Sequence, residues 1–194
     1  EIQTALEAAD AEERPEFHLE NERTDLFAAS ETISQAPEGS KREMRLLDAI
    51  SEALDQSMEA HPELILMGQD IGAYGGVFKA TEGLQERYGP ERVRNTPLCE
   101  SAIIGAGLGL SMKGMKAMVE MQFADFVSEG MTQICNNLAK IHYRWGQRAD
   151  VVIRMPTGAG VAAGPFHSQS NEAWFTHTPG LKVVYTAFPE DAKG

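Results

Sequence analysis

Apolar residues take up helical spacing abruptly at Glu43, and this change of pattern marks the start of a folded region. The apolar positions of its first segment are Leu46, Leu47, Ile50, Leu54 and Met58. Their three- and four-residue spacing predicts an amphipathic helix that ends at His61-Pro62. We therefore expect a domain over residues 43–194, preceded by a linker or arm over residues 1–42.

Short apolar runs alternate with helical patterns along the rest of the chain. The runs predict five strands, at residues 64–67, 93–95, 116–121, 151–153 and 182–185. Helical patterns occupy residues 81–88, 101–113 and 127–143, and a further helix opens at Pro189. This alternation predicts an α/β fold, a mostly parallel sheet with helices on both faces.

The first 42 residues mix Glu, Ala, Ser and Pro with few apolar side chains, a composition too polar for a core of its own. Two interpretations stay open for this segment: a solvated tail, or an arm docked on a neighbouring domain. The apolar residues that would anchor a docked arm are Phe17, Leu19, Leu26 and Phe27.

The 194 residues have 42% hydrophobic content, enough for one sizeable core. Apolar stretches such as residues 101–112 are shorter than the roughly 20 residues that a membrane-spanning helix needs, so we expect no membrane partner. Neither a secretory signal nor a mitochondrial presequence is recognisable. The chain opens on Glu1 without a Met and stops at Gly194 in the first turn of a predicted helix, so we expect a piece of a longer protein.

The net charge of -12 is unevenly distributed, because residues 1–40 hold 11 of the 29 acidic residues. This balance argues against nucleic-acid binding, which needs a basic patch for the phosphate backbone. Cys99 and Cys135 show neither metal-ligand spacing nor a disulfide-rich pattern. We expect a reducing compartment, the bacterial cytoplasm or alternatively the mitochondrial matrix.

The loops after the predicted strands are the candidate sites, because ligands of open parallel sheets gather at the carboxyl ends of the strands. The first such loop, TPLCE, delivers Glu100 to the start of a Gly-rich helix. Glu100 is there either a structural charge that complements the helix dipole or a functional carboxylate.

Two further loops carry aromatic side chains. EMQFADF places Phe123 and Phe126 at a strand end, where the rings either fill the core or form a platform for a flat ligand. The loop at residues 158–164 is rich in small residues and precedes His167. A histidine can titrate near neutrality, but a lone one is more often structural than catalytic.

Several common catalytic patterns are absent from the sequence. Neither a nucleophile elbow with Ser, His and Asp partners nor a Walker-type phosphate loop occurs. Gly105, Gly107 and Gly109 lie inside a predicted helix and not between a strand and a helix, so they fail the context test of the dinucleotide-binding fingerprint. Close helix packing explains them better.

Four sequence runs, taken together, resemble one family: LILMGQDIGAYGGVFKATEGL, TPLCESAIIGAGLGL, MVEMQFADF and HSQSNEAWFTHTPGLKVV. Through these runs, residues 43–194 resemble the beta subunit of the thiamine diphosphate-dependent decarboxylating component of 2-oxo acid dehydrogenase complexes. The resemblance implies a pyrimidine-binding domain of the transketolase type. It is truncated at its C-terminus, because the family's beta subunits continue past the position of Gly194.

The resemblance also implies a role for each candidate residue. The glutamate at the position of Glu100 hydrogen-bonds the ring nitrogen of the cofactor's aminopyrimidine and favours its imino tautomer, so Glu100 is both catalytic and cofactor-binding. Phe126 matches the cofactor-binding aromatic that packs on the pyrimidine, with Phe123 in the adjoining core. His167 matches the catalytic histidine that handles the substrate carboxylate and the reductive acylation of a lipoyl group.

One motif of the family is missing: the GDG sequence with a downstream Asn that binds magnesium and the diphosphate. The resemblance therefore implies half of a cofactor site, with no metal ligand on this chain and magnesium on an alpha subunit or alpha region. Residues 1–42 do not resemble the short start of a beta subunit, and we hypothesise that they connect to an upstream alpha region of the same polypeptide. An oligomer is implied, because the family's sites lie between domains of different subunits.

The runs MVEMQFADF and GGVFKATEGL favour a branched-chain 2-oxo acid, 3-methyl-2-oxobutanoate, as the substrate. A pyruvate or acetoin dehydrogenase is the alternative, and the lipoyl domain of the acyltransferase component is the implied acyl acceptor. The HSQS and EAWFTH runs argue against a transketolase-like transferase. A non-catalytic assembly module stays open as a different class of function, since half a site is inert by itself.

Overall fold

The computed structural model describes residues 1–14, 16–24 and 42–194. In chain order, its α-helices are α1 (Ile2–Ala11), α2 (Leu19–Thr24), α3 (Leu46–Ala60), α4 (Leu84–Tyr88), α5 (Glu100–Met112), α6 (Ala139–Trp145), α7 (Glu172–Thr176) and α8 (Pro189–Lys193). Its strands are β1 (Leu64–Gly68), β2 (Val93–Asn95), β3 (Lys116–Glu120) and β4 (Val151–Arg154). The described residues also form two 3₁₀-helices, Ala124–Gly130 and Ala159–Val161, and a π-helix, Thr132–Leu138.

The four strands form one parallel sheet in the order β2-β1-β3-β4. Leu66 of β1 lies opposite Val93 of β2 and Met118 of β3, and Val119 of β3 lies opposite Ile153 of β4. All five residues of β1 are buried, as expected for a central parallel strand that is covered on both faces. The predicted α/β fold with a parallel sheet is confirmed.

Helices cover both faces of this sheet. Alternate side chains of a strand point to opposite faces, so β1 contributes residues to two separate buried clusters. Leu64 and Leu66 join one buried cluster with Met58 of α3. Ile65 and Met67 join a second cluster with residues of α5, the first 3₁₀-helix and the π-helix. Leu66 is fully buried, and burial of one such side chain contributes about 1.5–3 kcal/mol to stability.

The first predicted helix is confirmed as α3, although its apolar face is shifted. Its buried residues are Ala49, Leu54 and Met58, whereas Leu46 is 39% exposed. The helix ends just before His61, because helical backbone is unfavourable for a residue that precedes a proline, here Pro62.

α5 lies close to the sheet because Gly107 has no side chain. A Cβ atom at Gly107 would lie 3.1 Å from Val119 Cγ1 and 3.2 Å from Val151 Cγ1. A larger residue there would push α5 away from β3 and β4, since the protein interior has no room to absorb it. The expected close packing is therefore confirmed at Gly107, whereas Gly109 has open space around it.

The single helix predicted over residues 127–143 is wrong in its detail. The chain forms a 3₁₀-helix to Gly130, a π-helix to Leu138 and α6 to Trp145. All three helix types bring apolar residues back to one face every three to five positions, so spacing alone does not separate them. The segment nevertheless presents one apolar face, because Ile134 is buried in the second cluster and Met131, Cys135 and Leu138 pack against that cluster.

The strand predicted over residues 182–185 is absent from the described sheet. Val184 is 81% exposed and Tyr185 is 63% exposed. A strand needs a neighbour that pairs with its backbone and an element that covers its side chains, and an apolar run supplies neither. By contrast, the helix predicted to open at Pro189 is confirmed as α8.

The first 24 residues contribute α1 and α2, neither of which has a buried residue. Phe17 is 74% exposed and Leu19 is 52% exposed, so neither proposed anchor is packed. The Tyr143 hydroxyl donates a hydrogen bond of 3.1 Å to Glu22 Oε2, which joins α2 to α6. The other two proposed anchors, Leu26 and Phe27, lie outside the described residues.

No helix among the described residues is both long enough and apolar enough to cross a membrane.

Candidate functional site

The carboxyl ends of the parallel strands bring the predicted site loops to one edge of the sheet. The side-chain amide of Gln122, which follows β3, donates a hydrogen bond of 2.8 Å to Oδ2 of Asp70, which follows β1. The Thr96 amide, after β2, donates one of 3.0 Å to the carbonyl oxygen of Gly68. Loops that are distant in sequence thus meet at the edge where ligands of this fold class gather.

Glu100 is the first residue of α5 and is 6% exposed. The Gln69 amide, itself 7% exposed, donates a hydrogen bond of 3.1 Å to Glu100 Oε1. No other hydrogen bond to the Glu100 carboxyl is present among residues 1–14, 16–24 and 42–194. A carboxylate can accept about four hydrogen bonds, so Glu100 retains capacity for a donor on a ligand.

The structural alternative for Glu100 was a cap or a dipole partner of α5. The N-cap position belongs to Cys99, and no side chain there caps the helix. Glu100 does lie at the positive end of the helix dipole, which favours a negative charge. Its carboxyl nevertheless accepts a hydrogen bond from the side chain of Gln69, directly after β1, and not from the backbone of its own helix.

Four aromatic rings cluster beside this edge of the sheet. His167 contacts Phe123 with a centroid distance of 5.0 Å and Phe126 with one of 5.3 Å, both edge to face. Phe123 also contacts Phe126 at 5.8 Å and Phe78 at 5.5 Å. Two of the three predicted loops, those of Phe126 and His167, are therefore in direct ring contact.

The helix that Glu100 begins packs against the helix that carries Phe126. The 3₁₀-helix that carries Phe126 ends at Gly130, which lies against the first turns of α5. A Cβ atom at Gly130 would clash with Ile104 Cδ1 and lie 3.9 Å from the carbonyl oxygen of Glu100. The missing side chain thus lets the helix of Phe126 lie directly on the helix that Glu100 begins.

Phe123 and Phe78 differ from what the sequence indicated. Phe123, expected in the adjoining core, is half-buried and contacts all three of the other rings. Phe78 comes from the Gly-rich loop between β1 and α4 and is not among the predicted site residues. Nothing in the spacing of that loop distinguishes a ring that reaches the site from one that faces solvent.

A buried ion pair under the same edge was also missed. Arg154 donates to Glu120 Oε2 from Nη2 at 2.8 Å and from Nε at 3.1 Å, and Glu120 is 3% exposed. The two residues are register partners at the ends of β3 and β4. The two residues are 34 positions apart in sequence and become neighbours only through the pairing of β3 with β4, so no local pattern reveals the pair.

Two polar features bear on what this edge can bind. The side-chain oxygen of Thr96 is buried and has no hydrogen-bond partner among the described residues. Within the same residues, no group of three or more His, Cys, Asp or Glu side chains could hold a metal ion. The site chemistry that the described residues offer is a buried carboxylate, an aromatic surface and a histidine.

Comparison with known proteins gives the same fold and a family. The chain superposes on a solved structure titled "Split gene transketolase, inactive beta4 tetramer", with a TM-score of 0.58 and 21% sequence identity, over 76% of this chain and 45% of that one. That likeness supports the fold. A sequence model of the family described as "Transketolase, pyrimidine binding domain" matches residues 42–194.

Curated relatives agree with this match. The 2-oxoisovalerate dehydrogenase subunit beta of Bacillus subtilis (strain 168) is 48% identical over 155 residues, which cover 78% of this chain and 47% of that protein. The pyruvate dehydrogenase E1 component subunit beta of Leifsonia xyli subsp. xyli (strain CTCB07) is 40% identical over 158 residues, 80% of this chain and 47% of that protein. The chain spans about half the length of these relatives. Its predicted resemblance is confirmed, and the chain belongs to the transketolase pyrimidine-binding domain family.

Proposed function

We propose that this chain supplies the pyrimidine half of a thiamine diphosphate site in a branched-chain 2-oxo acid dehydrogenase. The complete enzyme decarboxylates 3-methyl-2-oxobutanoate oxidatively and transfers the acyl group to a lipoyl group. The observation that carries the proposal is Glu100, a buried carboxylate at the carboxyl edge of the sheet that accepts one hydrogen bond, from Gln69, among the described residues.

The residues at this edge fit the pyrimidine half of the cofactor. Glu100 can accept a hydrogen bond from a ring nitrogen, and Phe126 offers an aromatic face for a flat ring. The unpartnered oxygen of Thr96 is a buried polar atom that a ligand group or water could satisfy. Thiamine diphosphate, when bound, supplies the electron sink that decarboxylation of a 2-oxo acid needs.

Glu100 has the main catalytic role in this proposal. It accepts the hydrogen bond of the pyrimidine ring nitrogen and so controls which nitrogen of the aminopyrimidine carries the proton. Burial strengthens this interaction, because a hydrogen bond to a carboxylate is worth more where water is excluded. The Gln69 amide holds Oε1 and thereby orients the carboxylate.

Phe126 and His167 complete this half of the site. Phe126 packs on the pyrimidine ring, and Phe123 supports it from the adjoining position. His167 is half-buried beside both rings, and its ring nitrogens can donate to a substrate carboxylate. It also acts, in this proposal, when the acyl group passes to the lipoyl group.

The remaining half of the site belongs to a partner. Because the GDG motif is missing from the sequence, magnesium and the diphosphate are held by an alpha subunit or alpha region. The working enzyme is an oligomer, and its acyl acceptor is the lipoyl domain of an acyltransferase component. Residues 1–42 are a linker or arm, and we propose that they connect to an alpha region of the same polypeptide. A start codon directly before Glu43 would contradict that connection.

Substrate choice can be tested by turnover of the complete enzyme with a lipoyl domain. The branched-chain proposal rests on the MVEMQFADF and GGVFKATEGL runs and on the Bacillus relative, which is more similar than the Leifsonia one. We expect the highest kcat/KM with 3-methyl-2-oxobutanoate. A higher value with pyruvate or acetoin would assign the alternative substrate class, and no turnover with any of the three would favour the assembly-module function.

A further inference from the structure

Both ends of the loop that carries His167 are hydrogen-bonded to one residue, Ala124. We call residues 156–171 the histidine loop. The Ala124 amide donates a hydrogen bond of 2.8 Å to the carbonyl oxygen of Pro156, where the loop begins. The Asn171 side-chain amide, where the loop ends, donates one of 3.0 Å to the carbonyl oxygen of Ala124. Ala124 directly follows Phe123 in sequence.

Asn171 makes this long-range contact with its side-chain amide and does not cap the helix that it precedes. It occupies the N-cap position of α7, where an asparagine side chain ordinarily accepts a hydrogen bond from the helix backbone. No such capping bond is present at Asn171, which is 3% exposed and reaches across the fold instead. We propose that Asn171 is a positioning residue that holds His167 against the rings of Phe123 and Phe126.

The histidine loop depends on such ties because its own side chains are poorly packed. Phe166, next to His167, is 74% exposed. Further hydrogen bonds hold the loop: the backbone amide of Gln169 donates to Asp125 Oδ1 at 3.2 Å, and the Gln169 carbonyl oxygen accepts from the Thr157 hydroxyl and from the Gly158 backbone amide, both at 3.0 Å. Loops with few buried apolar contacts open at low free-energy cost. A buried hydrogen bond therefore contributes a large part of the free energy that keeps such a loop closed.

The consequence for chemistry rests on the proposed function. The ring contacts of His167, at 5.0 and 5.3 Å, hold the imidazole beside the surface on which the pyrimidine would pack. Release of the loop end would let this ring move while Glu100, at the start of α5 and bound by Gln69, stays in place. Asn171 therefore affects the steps that need His167 and leaves the carboxylate of Glu100 unaffected.

Hydrogen exchange of the full chain tests the positioning role without any activity. Asn171→Leu keeps the size of the side chain but removes its donor, and Thr157→Val removes a second tie at a half-buried position where folding is less at risk. We expect both variants to speed exchange within residues 157–170, Asn171→Leu by roughly tenfold, the factor that one hydrogen bond contributes. Exchange in β1, β3 and α5 should not change.

Asn136→Leu is the matched control, because Asn136 is exposed and its oxygen only accepts a hydrogen bond from Lys140. We expect it to leave the histidine loop unchanged. Unaltered exchange of the loop in both Asn171→Leu and Thr157→Val would overturn the proposal. Faster exchange spread evenly over the chain in Asn171→Leu, together with an unaltered loop in Thr157→Val, would overturn it as well.

Turnover of the complete enzyme then separates positioning from general support. Acylation of the lipoyl domain should fall at least tenfold in Asn171→Leu, whereas the Kd of thiamine diphosphate, which depends on Glu100 and Phe126, should stay unchanged. A loss of cofactor affinity as large as the loss of acylation would contradict a role through His167. If the unmodified enzyme turns over no 2-oxo acid, the proposed function fails, but the exchange experiment still decides whether Asn171 fixes the loop.

Discussion

The side-chain amide of Gln69 donates a hydrogen bond of 3.1 Å to Oε1 of Glu100, and both side chains are buried. The two residues follow different strands, β1 and β2, so the contact depends on the sheet and not on local sequence. A neutral amide orients the carboxylate without competing for a proton. Gln69 is therefore part of the site, although the resemblance assigned no role to it.

Gln69→Leu should weaken the site without removing its carboxylate. The variant leaves Glu100 buried without its donor, and loss of a hydrogen bond to a charged group costs about 1.5–3 kcal/mol. We expect the Kd of thiamine diphosphate to rise by roughly ten- to a hundredfold, as measured by titration of the complete enzyme. Gln122→Leu is the control, because its partner Asp70 is exposed. Equal losses in the two variants would contradict a specific role for Gln69.

Glu100→Gln should nearly abolish decarboxylation while the fold is kept. An amide is a far poorer acceptor of the ring nitrogen's proton, yet it has the same shape and can still contact Gln69. The measurement is kcat of the complete enzyme, with circular dichroism as the check on folding. Glu129→Gln, at an exposed position, is the control. Turnover retained within tenfold, about 1.4 kcal/mol of barrier, would count against the role of Glu100.

Phe126→Leu should weaken cofactor binding and change stability little. Leucine keeps apolar bulk but loses the aromatic face, and a ring pair contributes about 0.5–1.5 kcal/mol beyond its buried area. We expect the Kd of thiamine diphosphate to rise about two- to twelvefold. Phe166→Leu is a matched control in the histidine loop, since Phe166 is 74% exposed. A larger effect at Phe166 than at Phe126 would move the ring platform to a different residue.

The elements that the sequence predicted correctly are those whose signal is local. Leu64–Gly68 is an uninterrupted apolar run and is a fully buried strand. The run at residues 182–185, KVVY, also predicts a strand, but Val184 is exposed because no strand of the described residues pairs with it. Whether an apolar run becomes a strand depends on its neighbours, and this information is not in the run.

The site divides in the same way. Glu100, Phe126 and His167 were singled out because each follows a predicted strand or a Gly-rich loop, and their roles stay predictions. Gln69 and Arg154 were missed because their partners lie 31 and 34 residues away in sequence. Contacts of that kind follow from the strand order and register, so they become visible only once the sheet is assembled.

Arg154→Met should destabilise the fold more than its position at a strand end suggests. It leaves Glu120 buried with an unpaired charge, and breaking a buried ion pair from one side costs about 3–5 kcal/mol. We expect the double variant with Glu120→Gln to recover much of this loss. Chemical denaturation of the four proteins in a double-mutant cycle measures the coupling. Simple additivity of the two single changes would show that the pair contributes no specific stability.

The contact between α8 and α3 should weaken in acid. Lys193 Nζ lies 3.2 Å from Glu52 Oε1, and this hydrogen bond, with support from the charges of Lys193 and Arg42, holds the pKa of Glu52 below its ordinary value of 4.5. A carboxyl group whose pKa is lowered by folding stabilises the fold at pH values above the pKa that the group has in the unfolded chain. That stability is lost as the pH falls through the lower, folded pKa.

Acidification should therefore release α8 before the sheet unfolds. We expect the protection factors of the Ala192 and Gly194 amides, which donate within α8, to fall below about pH 4.5 while those of β1 are unchanged. Lys193→Met should lower the protection of α8 by roughly two- to fivefold already at neutral pH, as for an exposed ion pair, and reduce this pH dependence, because Glu52 then lacks its main partner. If α8 in Lys193→Met stays protected and still loosens in acid, the Glu52 contact is not what holds this helix.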